Sequence, residues 1–142
     1  MKQRGFSLIE IMVVIVIMGL LLGIVGPRVL DQVGTAQVNT VRTQFGNFEA
    51  ALKAYKLDNY RYPTTEQGLE ALVSQPEIDP IPKKWKQYLD KLPRDPWEGE
   101  YKYESPSDGH PYDIYTLGAD GVRGGEDQDA DMSIWDEPER EE

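Results

Sequence analysis

Residues 4–26 read RGFSLIEIMVVIVIMGLLLGIVG, and within the 21 residues of 6–26 the one ionisable side chain is Glu10. A helix of that length covers roughly 30 Å, about the thickness of the hydrocarbon core of a bilayer. The apolar region of a cleaved secretory signal is shorter, usually about 7 to 15 residues, and ends at a small-residue cleavage site. The run therefore predicts a retained helix that spans a membrane.

Basic residues flank this apolar run on both sides. Lys2 and Arg4 precede it, and Arg28 follows it. Because positive charge favours the cytoplasmic side, Lys2 and Arg4 place the N-terminus in the cytoplasm, and Arg28 opposes this weakly. We therefore expect a single-pass protein whose remaining residues lie outside the cytoplasmic membrane.

Glu10 is the residue of the span that needs a partner. A carboxylate within a membrane helix costs about 2.5 to 3.5 kcal/mol on insertion scales. No basic side chain lies near it in its own helix. Two interpretations are open: Glu10 reaches water at the cytoplasmic interface, or it meets a positive charge on another subunit. A new amino terminus, created by cleavage just before the apolar run, would supply that charge.

The order of a basic leader, Gly5, Phe6 and Glu10 before an uninterrupted apolar run resembles the class III signal of type IV pilins and pseudopilins. The resemblance implies that a prepilin peptidase cuts between Gly5 and Phe6 and methylates Phe6. It also implies that Glu10 pairs with the Phe6 ammonium of a neighbouring subunit during assembly. It implies no catalytic activity in the chain itself.

A second helical pattern follows the span. Apolar residues spaced three or four apart, at positions 38, 41, 45, 48, 52 and 55, form one face of a helix. The pattern predicts a single helix from Phe6 to about Leu57, with an apolar first half and an amphipathic second half that other residues cover. Gly26 and Pro27 stand at the junction, where a missing backbone donor is expected to kink or locally melt the helix.

The region after residue 58 predicts a small mixed globule. Thr64 to Gln67 has the form of a capping box before a short helix that reaches about Ser74. Alternating aromatic residues predict strands at 100–104 and 112–117, joined by a turn that contains His110 as a surface residue. The fold class expected is therefore α+β, with a long helix against a small antiparallel sheet.

Three further segments narrow the family: TTEQGLEAL at 64–72, LPRDPW at 92–97 and YTLGADG at 115–121. Together with the leader they resemble the major pseudopilins of type II secretion systems, the general secretion pathway protein G family. The resemblance implies a pilin-like fold with a C-terminal calcium loop, and a structural subunit of a fibre that drives folded proteins across the outer membrane. The implied partners are other copies of the chain in a helical homopolymer, minor pseudopilins, the prepilin peptidase and the inner-membrane assembly platform.

These inferences divide the chain into five parts. They are a leader (1–5), the transmembrane half of the helix (6–26), its amphipathic half (27–57), a globular periplasmic part (58–135) and a disordered acidic tail (136–142). The expected location is the bacterial inner membrane, with the C-terminal part in the periplasm.

The loop LGADGVRGGEDQDAD, residues 117–131, combines four aspartates and a glutamate with four glycines. Calcium prefers such oxygen ligands, although the spacing is not that of an EF-hand, and composition alone leaves a solvated acidic loop equally open. A long loop without an organiser is unusual, crowded carboxylates repel each other, and no cysteine is present to staple the fold. These points favour calcium.

The family resemblance implies a particular ligand set for that calcium. It comprises the carbonyls of Leu117 and Val122, the side chains of Asp120 and Asp127, and Gln128 or Asp129. Asp131 is the residue left open, either as a further ligand or as a cap for the turn into 132–135. Trp135 is expected to fold the end of this loop onto the sheet.

Composition excludes several function classes. The 142 residues carry a formal net charge of -10, and residues 98–142 hold 3 basic against 15 acidic side chains, which disfavours nucleic-acid binding. The absence of cysteine excludes thiolate sites. The presence of only one histidine makes a Ser-His-Asp triad improbable. Two alternatives remain at this point: a type IV pilus or competence pilin, and a membrane-anchored calcium-dependent binding protein or hydrolase that never polymerises. The pilins usually carry a C-terminal cysteine pair that this chain lacks.

Overall fold

A computed structural model describes residues 5–137, apart from the side chains of residues 28–31. Lys2, Arg4 and most of the predicted tail therefore lie outside the described residues. The chain divides into two compact units, residues 1–36 and 37–142. The elements are α1 (Leu8–Asn59), a 3-10 helix (Leu69–Leu72), β1 (Lys102–Glu104), β2 (Asp113–Thr116), a second 3-10 helix (Asp127–Asp129) and β3 (Met132–Ser133).

The first unit contains the apolar part of α1. Its large apolar side chains between Phe6 and Val25 are all exposed, as expected for a helix that is covered by lipid or by other apolar helices. The backbone stays helical through Gly26 and Pro27, so the predicted local melting is not observed in this conformation. A single proline removes one backbone donor, and the turns on either side keep the rest of the helix intact.

In the second unit, α1 contributes the amphipathic face that the sequence predicts. Val41, Phe45, Phe48, Leu52 and Tyr55 are buried, which confirms the predicted stripe except at its first position, 38, which is half-buried. The ring of Tyr101 packs edge-on against Phe45 and Phe48, with centroid distances of 5.8 and 5.2 Å. The core therefore lies between this helical face and the chain around β1.

The three strands form one antiparallel sheet in the order β1-β2-β3. Tyr103 is paired with Ile114, and Tyr115 with Ser133. Both predicted strands are present but shorter than the ranges 100–104 and 112–117. The sequence pattern did not indicate β3, because two residues are too few for an alternating pattern.

The predicted capping box at Thr64 is confirmed by two reciprocal hydrogen bonds. The Thr64 N–H donates to Gln67 Oε1 at 3.1 Å, and the Gln67 N–H donates to Thr64 Oγ1 at 3.2 Å. The element that follows is not the helix expected up to Ser74. A turn leads instead into the 3-10 helix Leu69–Leu72, because Gly68 takes φ 61° and ψ -170°, outside the helical region.

Residues 75–99 have no long regular element and are held by side chains. The indole N–H of Trp85 donates to the Ala71 carbonyl at 2.7 Å. The buried carboxylate of Asp95 accepts hydrogen bonds from the N–H groups of Trp97 and Gly99 and from the Thr116 hydroxyl. Asp95 thereby joins this segment to the end of β2.

Candidate functional site

The start of α1 carries a capping box of its own. The Ser7 N–H donates to Glu10 Oε2 at 2.8 Å, and the Glu10 N–H donates to Ser7 Oγ at 3.2 Å. The spacing Ser-x-x-Glu is the sequence signal for this arrangement, which was not among the predictions made from the sequence. Glu10 therefore has a partner within its own helix, at the end where the helix dipole favours negative charge.

This partner leaves the charge of Glu10 unneutralised, since a backbone N–H is neutral. The carboxylate borders an open apolar groove lined by Phe6, Ile9, Val13 and Val14. Phe6 is 86% exposed. The predicted processing residue Phe6 and the predicted assembly residue Glu10 are thus both accessible to a second molecule.

The apolar surface that begins at Phe6 is continuous. From Phe6 to Val25 the exposed fraction of each large apolar side chain is at least 48%. Within the described residues, α1 is the helix that is long and apolar enough to cross a membrane. Such a surface requires lipid or other apolar helices around it, because contiguous apolar patches of this size are not stable in water.

The acidic loop between β2 and β3 closes on itself. The Ala119 N–H donates to the Gln128 carbonyl at 2.8 Å. Gly118 and Gly125, at φ 66° and 98°, both lie so close to the main chain of Asp129 that neither position has room for a Cβ atom. The limb with Leu117 and the limb with residues 127–129 are therefore brought side by side.

This closure fits part of the predicted calcium site. The two limbs carry part of the predicted set, namely the Leu117 carbonyl on one and Asp127, Gln128 and Asp129 on the other, and oxygen is the ligand that calcium takes. The Asp120 carboxylate accepts a hydrogen bond from the Val122 N–H at 2.9 Å. Within residues 5–137, no three acidic or histidine side chains converge as a metal-binding group. That observation concerns side chains, whereas the predicted set also includes backbone carbonyls. Calcium therefore stays a prediction.

Residues 131–136, at the end of the loop and after it, differ from one expectation, the capping of the following turn by Asp131. Within the described residues the Asp131 carboxylate makes no hydrogen bond to the turn at 132–135; it accepts instead from the Gly124 N–H at 3.0 Å. The turn is capped by Asp136, which accepts from the Ser133 N–H at 2.6 Å. Trp135 donates to the Tyr112 carbonyl at 2.7 Å and stacks on His110 at 4.3 Å, which attaches the end of the loop to the sheet.

A polar cluster lies at the other end of the second unit, where α1 ends. Lys86 Nζ lies 3.0 Å from Asp58 Oδ2, the Tyr88 hydroxyl donates to the same oxygen at 3.0 Å, and Asn59 donates to the Tyr88 hydroxyl. The hydrogen bonds from Lys86 and Tyr88 lower the pKa of Asp58 below its ordinary value. Burial, and then the hydrogen bond to Asp58, raise the pKa of Tyr88 to about 12.

Comparison with known proteins agrees with the motifs at both ends of the chain. The family profile "Type II secretion system (T2SS), protein G" matches residues 28–135, and the prokaryotic N-terminal methylation motif matches residues 1–26. The chain belongs to the type II secretion system protein G family. The resemblance stated from the sequence is therefore confirmed.

Individual members of the protein G family align over nearly the whole chain. The type II secretion system core protein G of Pseudomonas aeruginosa is 50% identical over 137 residues, covering 95% of this chain and 96% of that protein. The core protein G of Vibrio cholerae is 47% identical over 136 residues, covering 94% of this chain and 92% of that protein.

A solved structure supports the fold. The crystal structure of the major pseudopilin from the type 2 secretion system of enterohaemorrhagic Escherichia coli matches with a TM-score of 0.66 at 42% identity, covering 73% of this chain and 87% of that one. The prediction of a long N-terminal helix with a small antiparallel sheet is confirmed. Members of the protein G family are structural pseudopilin subunits and not enzymes, and the apolar start of α1 is consistent with anchoring in a membrane.

Proposed function

We propose that this pseudopilin is cut between Gly5 and Phe6, held in the inner membrane by residues 6–26, and then polymerised into a helical periplasmic fibre. Growth of that fibre drives folded proteins across the outer membrane. The observation that carries this proposal is the continuous exposed apolar surface from Phe6 to Val25, with one carboxylate set into it. Family membership supports the same function.

Assembly exchanges one apolar surrounding for another. In the membrane the apolar surface of α1 contacts lipid, and in a fibre it contacts the same surface of other copies, so the transfer exposes little apolar area to water. Glu10 is the one side chain of this surface that gains a specific partner in the neighbouring subunit on assembly. Cleavage after Gly5 creates an ammonium group on Phe6, and the carboxylate of Glu10 in an adjacent subunit neutralises that charge where both are removed from water.

The remaining partners follow from these steps. Processing and N-methylation of Phe6 require a prepilin peptidase, and extraction from the inner membrane requires an assembly platform there. Minor pseudopilins would start or cap the fibre. The charges of Lys2 and Arg4 support an orientation with the N-terminus in the cytoplasm and the second unit in the periplasm.

Calcium is part of the proposal. It would be held by the carbonyls of Leu117 and Val122 with Asp120, Asp127 and either Gln128 or Asp129. Bound calcium would neutralise part of the loop's negative charge and fix the limbs that Gly118 and Gly125 allow to approach. The close contact of both glycines with Asp129 supports this arrangement.

The test compares two variants that separate capping from assembly. Glu10→Ala removes both the capping acceptor and the charge, whereas Ser7→Ala removes the Ser7 hydroxyl but keeps the charge. Both chains are expressed in cells with a prepilin peptidase, and intact mass and N-terminal sequencing follow purification from membranes. We expect an N-methylated Phe6 in both, fibres from Ser7→Ala, and no fibres from Glu10→Ala.

Two results would contradict the proposal. A chain that keeps Met1, or that is cut elsewhere, would not be processed as a pseudopilin. Fibres in normal amount from Glu10→Ala would show that the charge has no part in assembly.

A further inference from the structure

The unit formed by residues 37–137 carries a basic end. Four exposed cations, Lys56, Arg61, Lys84 and Lys86, lie around the C-terminal end of α1. The carboxylate of Asp58 lies among them. Lys86 forms an ion pair with Asp58, and the charge of Lys84 also lowers the pKa of Asp58. Arg61 and Lys84 make no ion pair within the described residues. The basic end therefore has more positive charge than its own chain neutralises.

The loop of residues 117–131 is an acidic end. Its five carboxylates, at positions 120, 126, 127, 129 and 131, are all exposed. Its one cation, Arg123, faces the sheet, 3.8 Å from Glu104 and 3.4 Å from the Tyr115 hydroxyl. The loop therefore carries an unneutralised formal charge of -4, and one bound calcium ion would still leave it at -2.

The path of the strands places these two surfaces at opposite ends of the unit. β1 leads towards the end of α1, because the Tyr103 hydroxyl donates to the Pro63 carbonyl at 2.8 Å. β2 is antiparallel to β1, so it runs back from Tyr112, which packs on Tyr62, and delivers the loop at the far side. The chain after the loop lines a groove with Arg42 and Glu49. From Asp58 back to Glu49 the helix rises about 14 Å, and back to Arg42 about 24 Å.

Opposite charges at the two ends of the unit are complementary in a polymer whose subunits all point the same way. In a fibre built by one rotation and one rise, every interface is heterologous, which means that it joins two different surfaces of the same chain. We propose that the basic end of one subunit docks against the acidic end of a second copy of the chain. This inference rests on the proposed function, because it requires the fibre to form.

The charges at the basic end also have an intrachain effect, since cations stabilise the C-terminus of a helix. That effect does not involve the acidic loop, and it acts in a single subunit as well as in a fibre. A test must therefore measure proximity between the two ends in different subunits.

Cross-linking in assembled fibres gives that measurement, because the natural chain has no cysteine. The full chain with Lys84→Cys and Glu126→Cys is expressed in secreting cells that lack their own copy, and a short bismaleimide is added. The control pairs Glu126→Cys with Lys102→Cys, an exposed lysine on β1 that is not one of the cations of the basic end. We expect a ladder of covalent multimers from the 84/126 pair and a loss of that ladder in the control.

The possible outcomes distinguish a failure of the docking inference from a failure of the proposed function. Fibres without a ladder from the 84/126 pair, or with an equal ladder from the control, would overturn the docking of the two ends. If the unaltered chain forms no fibres, the proposed function itself fails.

Charge reversal gives an independent readout of the same contact. Lys84→Glu should reduce the fibre yield about five-fold, the equivalent of a favourable exposed ion pair, and Glu126→Lys in the same chain should restore part of it. Both effects should shrink when the ionic strength is raised, because salt screens exposed charges. A yield of Lys84→Glu fibres equal to that of the natural chain would overturn the inference.

Discussion

Gln67 connects three segments of backbone through one buried amide. Its Oε1 accepts from the Thr64 N–H, and its Nε2 donates to the carbonyls of Ile78 and Pro80, each at 3.0 Å. These partners fix the orientation of the amide, because two carbonyls can be matched only by the nitrogen. A side chain that the sequence identified as half of a capping box therefore also holds the irregular segment after the 3-10 helix.

The Gln67→Glu substitution keeps the shape of the side chain and removes the donor. We expect it to lower the free energy of unfolding by about 3 kcal/mol, since two carbonyls lose their donor and face a buried negative charge. The measurement is a thermal or denaturant midpoint of the full chain in detergent. Glu66→Gln, at the exposed neighbouring position, is the matched control and should change stability by less than about 0.5 kcal/mol. Equal effects of the two changes would contradict the role given to Gln67.

Asp58 gives the folded chain a pH dependence at acid pH. The hydrogen bonds from Lys86 and Tyr88 lower its pKa in the folded state, so the unfolded chain binds a proton more readily. The stabilisation is complete above the unfolded pKa of about 3.9 and is lost as the pH falls through the lower folded pKa. Asp58→Asn should therefore differ from the natural chain near neutral pH, and the difference should shrink below about pH 4.

The check is the unfolding midpoint of both chains between neutral and acid pH. Asp90→Asn serves as control, because Asp90 is exposed and its carboxylate makes no hydrogen bond or ion pair within the described part of the chain. A constant difference between Asp58→Asn and the natural chain at every pH would refute the linkage.

At the scale of the element, the acidic loop depends on close approach of backbone to backbone. Gly121 and Gly125 both have positive φ, 66° and 98°, but a Cβ at Gly121 would meet open space, whereas one at Gly125 would clash with Asp129. Replacing each glycine by alanine separates the cost of the positive φ from the cost of the clash. Gly121→Ala carries the conformational cost alone, about 1 kcal/mol.

Gly125→Ala should be worse than Gly121→Ala because the loop must also open. We expect it to weaken binding of calcium, or of a terbium probe, by more than the Gly121→Ala change does. Calorimetric or luminescence titration of the full chain measures this difference. Identical titration curves for the two variants would mean that closure at Asp129 does not matter to the site.

Elements with a repeated pattern were predictable from the sequence, and contacts between distant residues were not. The stripe that ends at Tyr55 repeats over several turns, so it indicated both the helix and its buried face. The bond between Thr116 and Asp95 joins positions 21 residues apart, and no local pattern encodes it. The cap of α1 by Ser7 and Glu10 is encoded by a local spacing, Ser-x-x-Glu, and was therefore predictable although it was not predicted.

For the whole molecule, calcium is expected to act through the folded state. A ligand that binds only the folded chain raises its stability with ligand concentration above the dissociation constant. Adding a chelator should therefore lower the thermal midpoint of the purified chain, and fibre yield in cells should fall when free calcium is depleted. A midpoint that does not move with EDTA would exclude the calcium proposal while leaving the family assignment intact.

The sheet is also completed in a fixed temporal order. Since β3 follows the acidic loop, a chain that crosses the membrane in sequence order, as the proposed orientation requires, would deliver β1 and β2 before Met132 and Ser133. Until then the outer edge of β2 has unpaired backbone groups, and Tyr112 lacks the indole that later binds its carbonyl. Open strand edges invite pairing with other chains. The subunit is therefore expected to be most prone to wrong association in the interval between the arrival of β2 and the arrival of β3.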